Sequence, residues 1–243
     1  MRRMILLCGR KKTGKGMIYT AASKLCPNSG EFFFAKPIKD FCINALGLTY
    51  EQMYGTSDQR ESLTEYRWGN VAPSIRDQYK KDPNEFLTAR QVLQVVGTDI
   101  MRNHFDPNVW AKAGARAAVS SNFDTCFFTD TRMENEIISS HYVSKKNGFE
   151  EPVNIRLYRG TGLIDEHITE RSLDCFDAVP TQRSLSQGVP SGFIQVSTRL
   201  WKKDNTKTDN LFHYLLDNNG TVDEVESNMK IILVESGVID KSA

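Results

Sequence analysis

Residues 9–16, Gly-Arg-Lys-Lys-Thr-Gly-Lys-Gly, have the GxxxxGK spacing of a loop that binds the phosphates of a nucleotide. Glycines let the backbone curl so that successive amide N–H groups point at phosphate oxygens, and a following helix adds the positive end of its dipole. Lys15 supplies a mobile positive charge. The alternative is a glycine-rich turn with solvated lysines, but an apolar, strand-like run precedes the loop and a stretch that can be helical follows it. The motif therefore predicts a phosphate-binding loop.

Gly16 departs from the usual motif, in which Ser or Thr follows the lysine and its hydroxyl binds magnesium. Thr20 lies one helical turn further on, about 6 Å away along the helix axis, so it could help only through water. Two interpretations stay open. Magnesium is bound through water, or the protein binds a nucleotide without catalysing a reaction.

Asp130 and Arg132 follow a second strand-like run, Cys126-Phe127-Phe128. The carboxyl ends of parallel strands open onto one crevice, so these two residues should lie beside the phosphate loop. A carboxylate there can hold magnesium-bound water, and a guanidinium can bind a phosphate with two hydrogen bonds. The alternatives are a helix N-cap for Asp130 and a surface salt bridge for Arg132.

The stretch from Thr88 to His104 has two helical faces. The apolar face, expected in the core, comprises Val92, Leu93, Val95, Val96 and Ile100. On the other side Arg90, Gln94 and Gly97 are stacked, which suits a phosphate clamp, an amide that reads a base edge, and close approach of a ligand to the backbone. An ordinary solvated face is the alternative, although such faces more often carry Lys and Glu.

The elements that position these residues are predicted from apolar runs and helix caps. Strand-like runs occur at residues 4–8, 32–34, 126–128, 153–158 and 211–216. Helix starts are indicated by Asp106-Pro107, by Thr131 with Glu134, and by Thr221 with Glu224. The repeated order of strand, cap and helix predicts an α/β fold, a doubly wound parallel sheet of about five strands.

Two stretches interrupt this repeat. Residues 49–88 are polar and helix-like, as in an insertion that covers a substrate. Residues 160–209 are rich in Gly, Pro, Ser, Thr and charges, with weak periodicity, which is typical of a lid, a disordered insert or a small subdomain.

The composition limits the class of protein. The 243 residues are 40% hydrophobic and 25% charged, as expected for one α/β domain or at most two small ones. The 31 Lys and Arg balance 30 Asp and Glu, so bulk charge gives no reason to expect nucleic acid or a membrane as partner. The five cysteines form no CxxC pair, and no apolar run near the start is long enough for a signal peptide. We expect a soluble, cytoplasmic protein with reduced thiols.

The sequence resembles the deoxynucleoside monophosphate kinases of large tailed bacteriophages, which belong to the P-loop nucleoside monophosphate kinases. The matching segments occur in the family's order and span nearly the whole chain: GRKKTGKG (9–16), AKPIKD (35–40), ARQVLQVVGTDIMRNHFDPNVWAK (89–112), TDTRMENE (129–136), DEHITE (165–170) and LLDNNGTVDEVE (215–226). The combination of RQxLQxxGTDxxRNxF, DTR and a late NNGT is far more specific than the phosphate loop alone.

This resemblance implies one P-loop kinase domain over residues 1–243 that transfers the γ-phosphate of ATP to a deoxynucleoside monophosphate (dNMP). ATP would be bound by Lys12, Thr13, Gly14, Lys15 and Gly16, with Asn219 and Gly220 beside the donor adenine. The dNMP site would be lined by Lys11, Ile38, Lys39, Arg90, Gly97, Thr98, Trp110, Asp130, Arg132 and Glu136, to which the helical stripe adds Gln94. Residues 178–208 depart from the family as an insertion.

Catalysis would depend on Lys15, Arg90, Asp130 and Arg132 together with Mg²⁺, which Asp130 would bind through water. Trp110 could exclude a ribose 2′-hydroxyl or could be a core aromatic. The histidines (His104, His141, His167 and His213) are expected to be structural, with a lid role open for His167.

Other functions stay open. The acceptor could be another small molecule, such as dephospho-coenzyme A or a sugar acid, or the protein could be a non-catalytic nucleotide-binding regulator. The sequence does not decide the oligomeric state, and a homodimer is one option. If the chain is encoded by a phage, its location would be the cytoplasm of the infected cell.

Overall fold

The computed structural model describes residues 1–10, 12–159, 173, 189–206 and 210–240. The chain forms two compact units. The first comprises Met1–Phe34 and Ala115–Ala243, and the second comprises Ala35–Gly114. Lys11, His167 and most of the predicted lid region lie outside the described residues.

A mostly parallel sheet forms the centre of the first unit. Its strands are β1 (Arg3–Cys8), β2 (Ser29–Phe32), β5 (Thr125–Thr131), β6 (Val153–Tyr158), β7 (Phe193–Ser197), β8 (Leu200–Lys203) and β9 (Tyr214–Asp217). The spatial order is β2-β5-β1-β6-β9-β8-β7. The first five strands in this order are parallel, and β8 and β7 extend the edge in antiparallel pairing. The predicted α/β fold with a five-stranded parallel sheet is therefore confirmed, and two strands are added to it.

Strand β1 is apolar from Met4 to Cys8 because both faces of the sheet are covered there. Ile5 and Leu7 pack in one cluster with Ile18 of helix α1 (Lys15–Leu25) and Met229 of the last helix, α9 (Val222–Glu235). The alternate β1 residues, among them Leu6, point to the opposite face and are also fully buried.

The helix caps agree only in part with the sequence prediction. Thr221 and Glu224 form the predicted capping box of α9. Helix α8 (Glu134–Lys146) instead begins after Met133, because the Glu136 carboxylate accepts the backbone N–H groups of Arg132 and Met133. The predicted cap of Thr131 with Glu134 is therefore wrong.

Helix α7 (Val109–Val119) begins two residues later than Pro107, the predicted first helical residue. The Asp106 carboxylate still accepts the N–H of Asn108 at 2.8 Å, so it closes a turn before the helix. The sequence signal located the turn correctly but not the first helical residue.

The second unit is built mainly of short helices. These are α2 (Lys36–Leu46), α3 (Tyr50–Tyr54), α4 (Ser57–Arg60), α5 (Pro73–Tyr79) and α6 (Ala89–Gln94), with a 3₁₀ turn at Trp68–Asn70 and a π-helix at Val95–Arg102. Residues 49–88 also contain an antiparallel pair, β3 (Leu63–Arg67) and β4 (Phe86–Thr88), which the helix-like composition did not predict. A buried cluster that includes Met53, Trp68 and Val92 holds these pieces together.

Candidate active site

The phosphate loop connects β1 to α1 and depends on the backbone of Gly14. This residue is the N-cap of α1 with a φ of 87°, a left-handed conformation that glycine adopts without strain. A Cβ atom added to Gly14 would collide with the side-chain amide of Asn218. Both observations require glycine at the position where the chain turns into the helix.

Lys15 is folded over the loop rather than extended into solvent. It is 8% exposed, and its Nζ donates hydrogen bonds to the carbonyls of Gly9 at 2.7 Å and Arg10 at 2.8 Å. An ammonium group in this position places a positive charge beside the N-terminus of α1, where anions are stabilised by the backbone N–H groups and the helix dipole.

Asn218 connects the phosphate loop to the loop after β9. Its Nδ2 donates to the carbonyl of Thr13 at 2.7 Å, and its backbone N–H donates to the carbonyl of Tyr158 at 2.7 Å. The residue is 2% exposed. Sequence reasoning selected the next two residues of the Asn-Asn-Gly segment and missed Asn218, although the paired asparagines were a signal.

Arg159 is a second residue that sequence reasoning missed. It directly follows β6, is exposed, and its Nη1 would lie 3.4 Å from a Cβ at Gly14. A cation directly after the buried strand Val153–Tyr158 was the available signal, since the carboxyl ends of parallel strands share one edge.

Gly16 is exposed, and a Cβ added there would meet nothing within 4 Å. The Thr20 hydroxyl donates to the backbone carbonyl of Gly16, one turn earlier in α1, at 3.0 Å. The space beside Gly16 can therefore take the serine side chain that the usual motif has here.

The second strand-end group lies at the end of β5. Asp130 Oδ1 accepts the N–H of Phe34 at 2.9 Å, so this carboxylate holds the segment that follows β2 and is not the N-cap of α8. Glu136 is 6% exposed, and its Oε2 accepts the backbone N–H of Arg132 at 2.7 Å and that of Met133 at 3.0 Å. Glu136 therefore fixes the backbone at Arg132, which is half-buried.

In the second unit, the predicted polar stripe lies on α6 and the π-helix that continues it. Arg90 forms an ion pair with Glu61, and both side chains are 49% exposed. Gln94 and Thr98 are also exposed. Ile100, predicted to face the core, is 41% exposed, because the wider turns of the π-helix rotate residues beyond 95 away from the α-helical positions.

Gly97 is buried. The sequence predicted that a ligand would approach its backbone closely, and in the structure side chains of the protein itself lie there. Trp110 is 6% exposed, and its Nε1 donates to the Gly97 carbonyl at 2.9 Å. Ile38 Cγ1 would lie 3.4 Å from a Cβ at Gly97. Lys39 lies beside this cluster along the chain, with its Nζ 4.3 Å from the centre of the Tyr54 ring.

In the loop after β9, Asn219 is exposed and Gly220 is half-buried. The backbone N–H of Asn219 donates to Asp217 Oδ1 at 3.0 Å. A Cβ at Gly220 would collide with the carboxylate of Glu224, whose Oε2 accepts the N–H of Thr221 at 2.8 Å. Gly220 is therefore required for the capped start of α9.

Comparisons with known proteins identify the family. The family model described as "Deoxynucleotide monophosphate kinase" matches residues 58–179, half of the chain. An Acanthamoeba polyphaga mimivirus protein named "Putative deoxynucleotide monophosphate kinase" is 30% identical over 193 residues, which cover 72% of this chain and 86% of the mimivirus protein. The chain belongs to the deoxynucleotide monophosphate kinase family. It is therefore a kinase, and its family implies nucleotide substrates with ATP as the phosphate donor.

A solved structure, "Crystal structure of a putative kinase from chloroflexus aurantiacus j-10-fl at 1.70 A resolution", is 11% identical and aligns over 97% of both chains with a TM-score of 0.39. This likeness is too weak to support a conclusion about this chain. The assignment of the fold depends on the strand order and on the loop between β1 and α1.

Several titratable groups of this kinase are structural. Burial raises the pKa of the Cys8 thiol to about 12, so this residue next to the phosphate loop stays protonated. Burial also lowers the pKa of His213 to about 4, and its Nδ1 accepts the N–H of Asn154 at 3.0 Å. The rings of His141 and His213 stack, and His104 contacts the Asp99 carbonyl. These contacts agree with the structural role predicted for the three histidines, which stays a prediction.

In the described part of the chain, no cluster of three or more His, Cys, Asp or Glu side chains could hold a metal ion. The same residues include no helix long and apolar enough to cross a membrane.

Proposed function

We propose that this protein transfers the γ-phosphate of ATP to a deoxynucleoside monophosphate. An oxygen of the acceptor phosphate forms a bond to the γ-phosphorus, the bond from that phosphorus to the β,γ-bridging oxygen breaks, and ADP and a deoxynucleoside diphosphate leave. The observation that carries the proposal is the loop at Gly14–Lys15, with its left-handed glycine and its buried lysine, in a chain of this family.

The donor site is proposed to comprise Lys12, Thr13, Gly14, Lys15 and Gly16 around the phosphates, with Asn219 and Gly220 beside the adenine. The N-terminus of α1 and the buried ammonium of Lys15 supply the positive potential that a polyphosphate needs. Asn218 supports this assignment, since its hydrogen bond to the Thr13 carbonyl joins the two loops.

The acceptor site is proposed from the resemblance and from the polar stripe of α6. Its residues are Lys11, Ile38, Lys39, Arg90, Gln94, Gly97, Thr98, Trp110, Asp130, Arg132 and Glu136. The exposed side chains of Arg90, Gln94 and Thr98 can touch a ligand directly. Ile38 and Trp110 are buried and would shape the site through Gly97, whereas Glu136 would act by holding the backbone of Arg132.

Catalysis by this set is a matter of position and charge. Phosphoryl transfer places negative charge on the γ-phosphate oxygens, and two anions must be held in line against their repulsion. Lys15, Arg90 and Arg132 supply cations for this, and the planar guanidinium can bind two phosphate oxygens at once. A general base is not required, because the attacking group is already a phosphate oxygen.

Magnesium fits the site as an ion held mainly by water and ATP. Mg²⁺ prefers oxygen ligands and keeps several of its waters, and the Asp130 carboxylate at the end of β5 is a suitable partner for one of them. When bound, it would neutralise charge on the β- and γ-phosphates. Because Gly16 has no hydroxyl group to bind the metal, the proposed role of Asp130 in holding magnesium becomes more important.

The experiment is a coupled ADP-release assay with deoxynucleoside monophosphates, ribonucleoside monophosphates, dephospho-coenzyme A and a sugar acid as acceptors. We expect turnover with one or more deoxynucleotides and little with the other acceptors. Turnover restricted to dephospho-coenzyme A or the sugar acid would replace the proposed acceptor. Tight ATP binding with no turnover on any acceptor would mean a nucleotide-binding regulator.

A further inference from the structure

The hairpin β7–β8 contacts the loop that follows β9. Its turn, Thr198-Arg199, lies between Phe193–Ser197 and Leu200–Lys203, in the stretch 178–208 that the family resemblance does not cover. We call residues Asp217–Gly220 the donor-base loop. The carbonyl of Arg199 accepts the backbone N–H of Asp217 at 3.0 Å, so the hairpin turn and the donor-base loop are joined through the main chain.

The side chain of Arg199 makes further contacts on the same side. Its Nη1 lies 3.0 Å from Asp217 Oδ2, and its Nε lies 3.9 Å from Glu224 Oε2. Its Cδ would be 3.1 Å from a Cβ at Gly220. One guanidinium therefore interacts with the carboxylate directly before Asn218 and with the Glu224 carboxylate in the first turn of α9, which follows Gly220.

These two carboxylates hold the backbone of the donor-base loop. Asp217 Oδ1 accepts the N–H of Asn219 at 3.0 Å, and Glu224 Oε2 accepts the N–H of Thr221 at 2.8 Å. A cation between the two acids fixes their orientation, and with it the hydrogen bonds that they accept. Without Arg199, the Asp217 and Glu224 carboxylates would lose the positive charge that lies between them.

The backbone of Arg199 also indicates a specific role. Its φ is 65°, a left-handed conformation that suits glycine or asparagine better than arginine. Such strain persists only where the surroundings impose it, and it often accompanies a function. Here Asn228 of α9 is 3% exposed, donates to the Thr198 carbonyl at 3.1 Å and accepts a hydrogen bond from the Ser197 hydroxyl.

We propose that Arg199 is a positioning residue for the base of the donor nucleotide. Arg199 acts by holding the donor-base loop, although it lies in a stretch that the matching family segments do not cover. This inference rests on the proposed function. The phosphate side of the site has its own support, because Asn218 is bound to the carbonyls of Thr13 and Tyr158 and neither bond involves Arg199. Loss of Arg199 should therefore weaken ATP more than a polyphosphate that has no base.

The experiment is calorimetric titration of the full-length protein with Mg·ATP and with Mg·tripolyphosphate. The variants are Arg199→Gly, Arg199→Lys and the matched control Lys202→Ala. Lys202 is a cation of the same hairpin, and its Nζ lies 3.0 Å from Glu235 Oε2. In Arg199→Gly we expect at least a tenfold weaker Kd for ATP and a change of less than twofold for tripolyphosphate. Arg199→Lys should recover part of the ATP affinity, and Lys202→Ala should bind both ligands like the wild type.

Thermal unfolding is measured on the same samples. Glycine relaxes the positive φ of residue 199, so we expect Tm of Arg199→Gly to stay within a few degrees of wild type. Unchanged ATP affinity in this variant overturns the proposal. Equal losses for ATP and tripolyphosphate, or an equal loss in Lys202→Ala, overturn it too, because the effect would then not be confined to the base or to Arg199. A wild-type protein that binds no ATP would reject the proposed function first, and this inference with it.

Discussion

The phosphate loop and the helix that carries Arg90 differ in what makes each of them a candidate site. At the phosphate loop the important groups are buried and bound to main-chain atoms, as for Lys15 of the loop at 8% exposure and Asn218 of the neighbouring loop after β9 at 2%. On α6 and the π-helix they are exposed side chains, with Arg90 at 49%. The groups of the first region are each held by hydrogen bonds to carbonyl groups, whereas the second region presents functional groups whose positions depend on single contacts such as the pair with Glu61.

This difference predicts how each region responds to mutation. Removing a buried group from the phosphate loop should abolish function almost completely, since its neighbours are arranged around it. Changing an exposed group of the acceptor region should reduce affinity or rate in a graded way. The four predictions below test this contrast, from the largest expected effect to the smallest.

Lys15→Ala should lower kcat/KM by at least about a hundredfold, which is about 2.7 kcal/mol of transition-state stabilisation. The cause is loss of the ammonium beside the N-terminus of α1. Steady-state kinetics measure the effect, and Lys24→Ala is the control, because Lys24 lies on the same helix in an exposed ion pair with Glu226. Near-wild-type efficiency in Lys15→Ala would reject the phosphate-loop assignment.

Trp110→Phe should lower the free energy of unfolding by about 2 kcal/mol, because the indole N–H that donates to the buried Gly97 carbonyl is lost. Denaturant unfolding measures this change. The ratio of dGMP to GMP turnover should stay the same if Trp110 serves the core alone. A rise in GMP turnover relative to dGMP would instead give Trp110 the role of excluding the 2′-hydroxyl.

Arg90→Lys and Arg132→Lys should each lower kcat/KM by about tenfold or more, equivalent to about 1.4 kcal/mol, because lysine keeps the charge but loses the planar fork. For Arg90 we expect the effect mainly in KM for the deoxynucleotide. Arg76→Lys is the control for charge-conserving exchange in the second unit, where Arg76 pairs with Asp77. Wild-type KM and kcat in both variants would show that these arginines do not bind the acceptor.

Gly16→Ser should lower the half-saturating magnesium concentration by about threefold, less than 1 kcal/mol, since the hydroxyl can bind the metal directly. The structure leaves room for the side chain. The control is Gly16→Ala, which has the same backbone restriction without the oxygen. If serine and alanine variants have the same magnesium requirement as wild type, position 16 does not govern the metal, and Asp130 is the next residue to test.

The parts of the fold predicted from sequence are those that depend on short stretches of chain. Residues 4–8 and 126–128 are apolar at every position, residues 153–158 are apolar apart from Asn154 and Arg156, and each run forms a buried strand. The box of Thr221 and Glu224 was predicted because both partners lie within one helical turn. The hairpin β7–β8 was not predicted, since its strands have only a half-buried, partly polar pattern and gain their place by pairing with β9.

For the candidate site, the sequence by itself determined the family and the local pattern that predicts a phosphate loop, whereas only the tertiary structure decided what surrounds each residue. A left-handed glycine followed by a lysine at a helix start is a local requirement, so it can be recognised from a few residues. Asn218 reaches Thr13 across 205 residues of chain, and Arg199, in the turn before β8, reaches Asp217 at the end of the neighbouring strand β9. Trp110 and Gly97 meet in the same way in the second unit, 13 residues apart. Such contacts follow from strand order and packing, which bring distant segments together without a pattern in either segment.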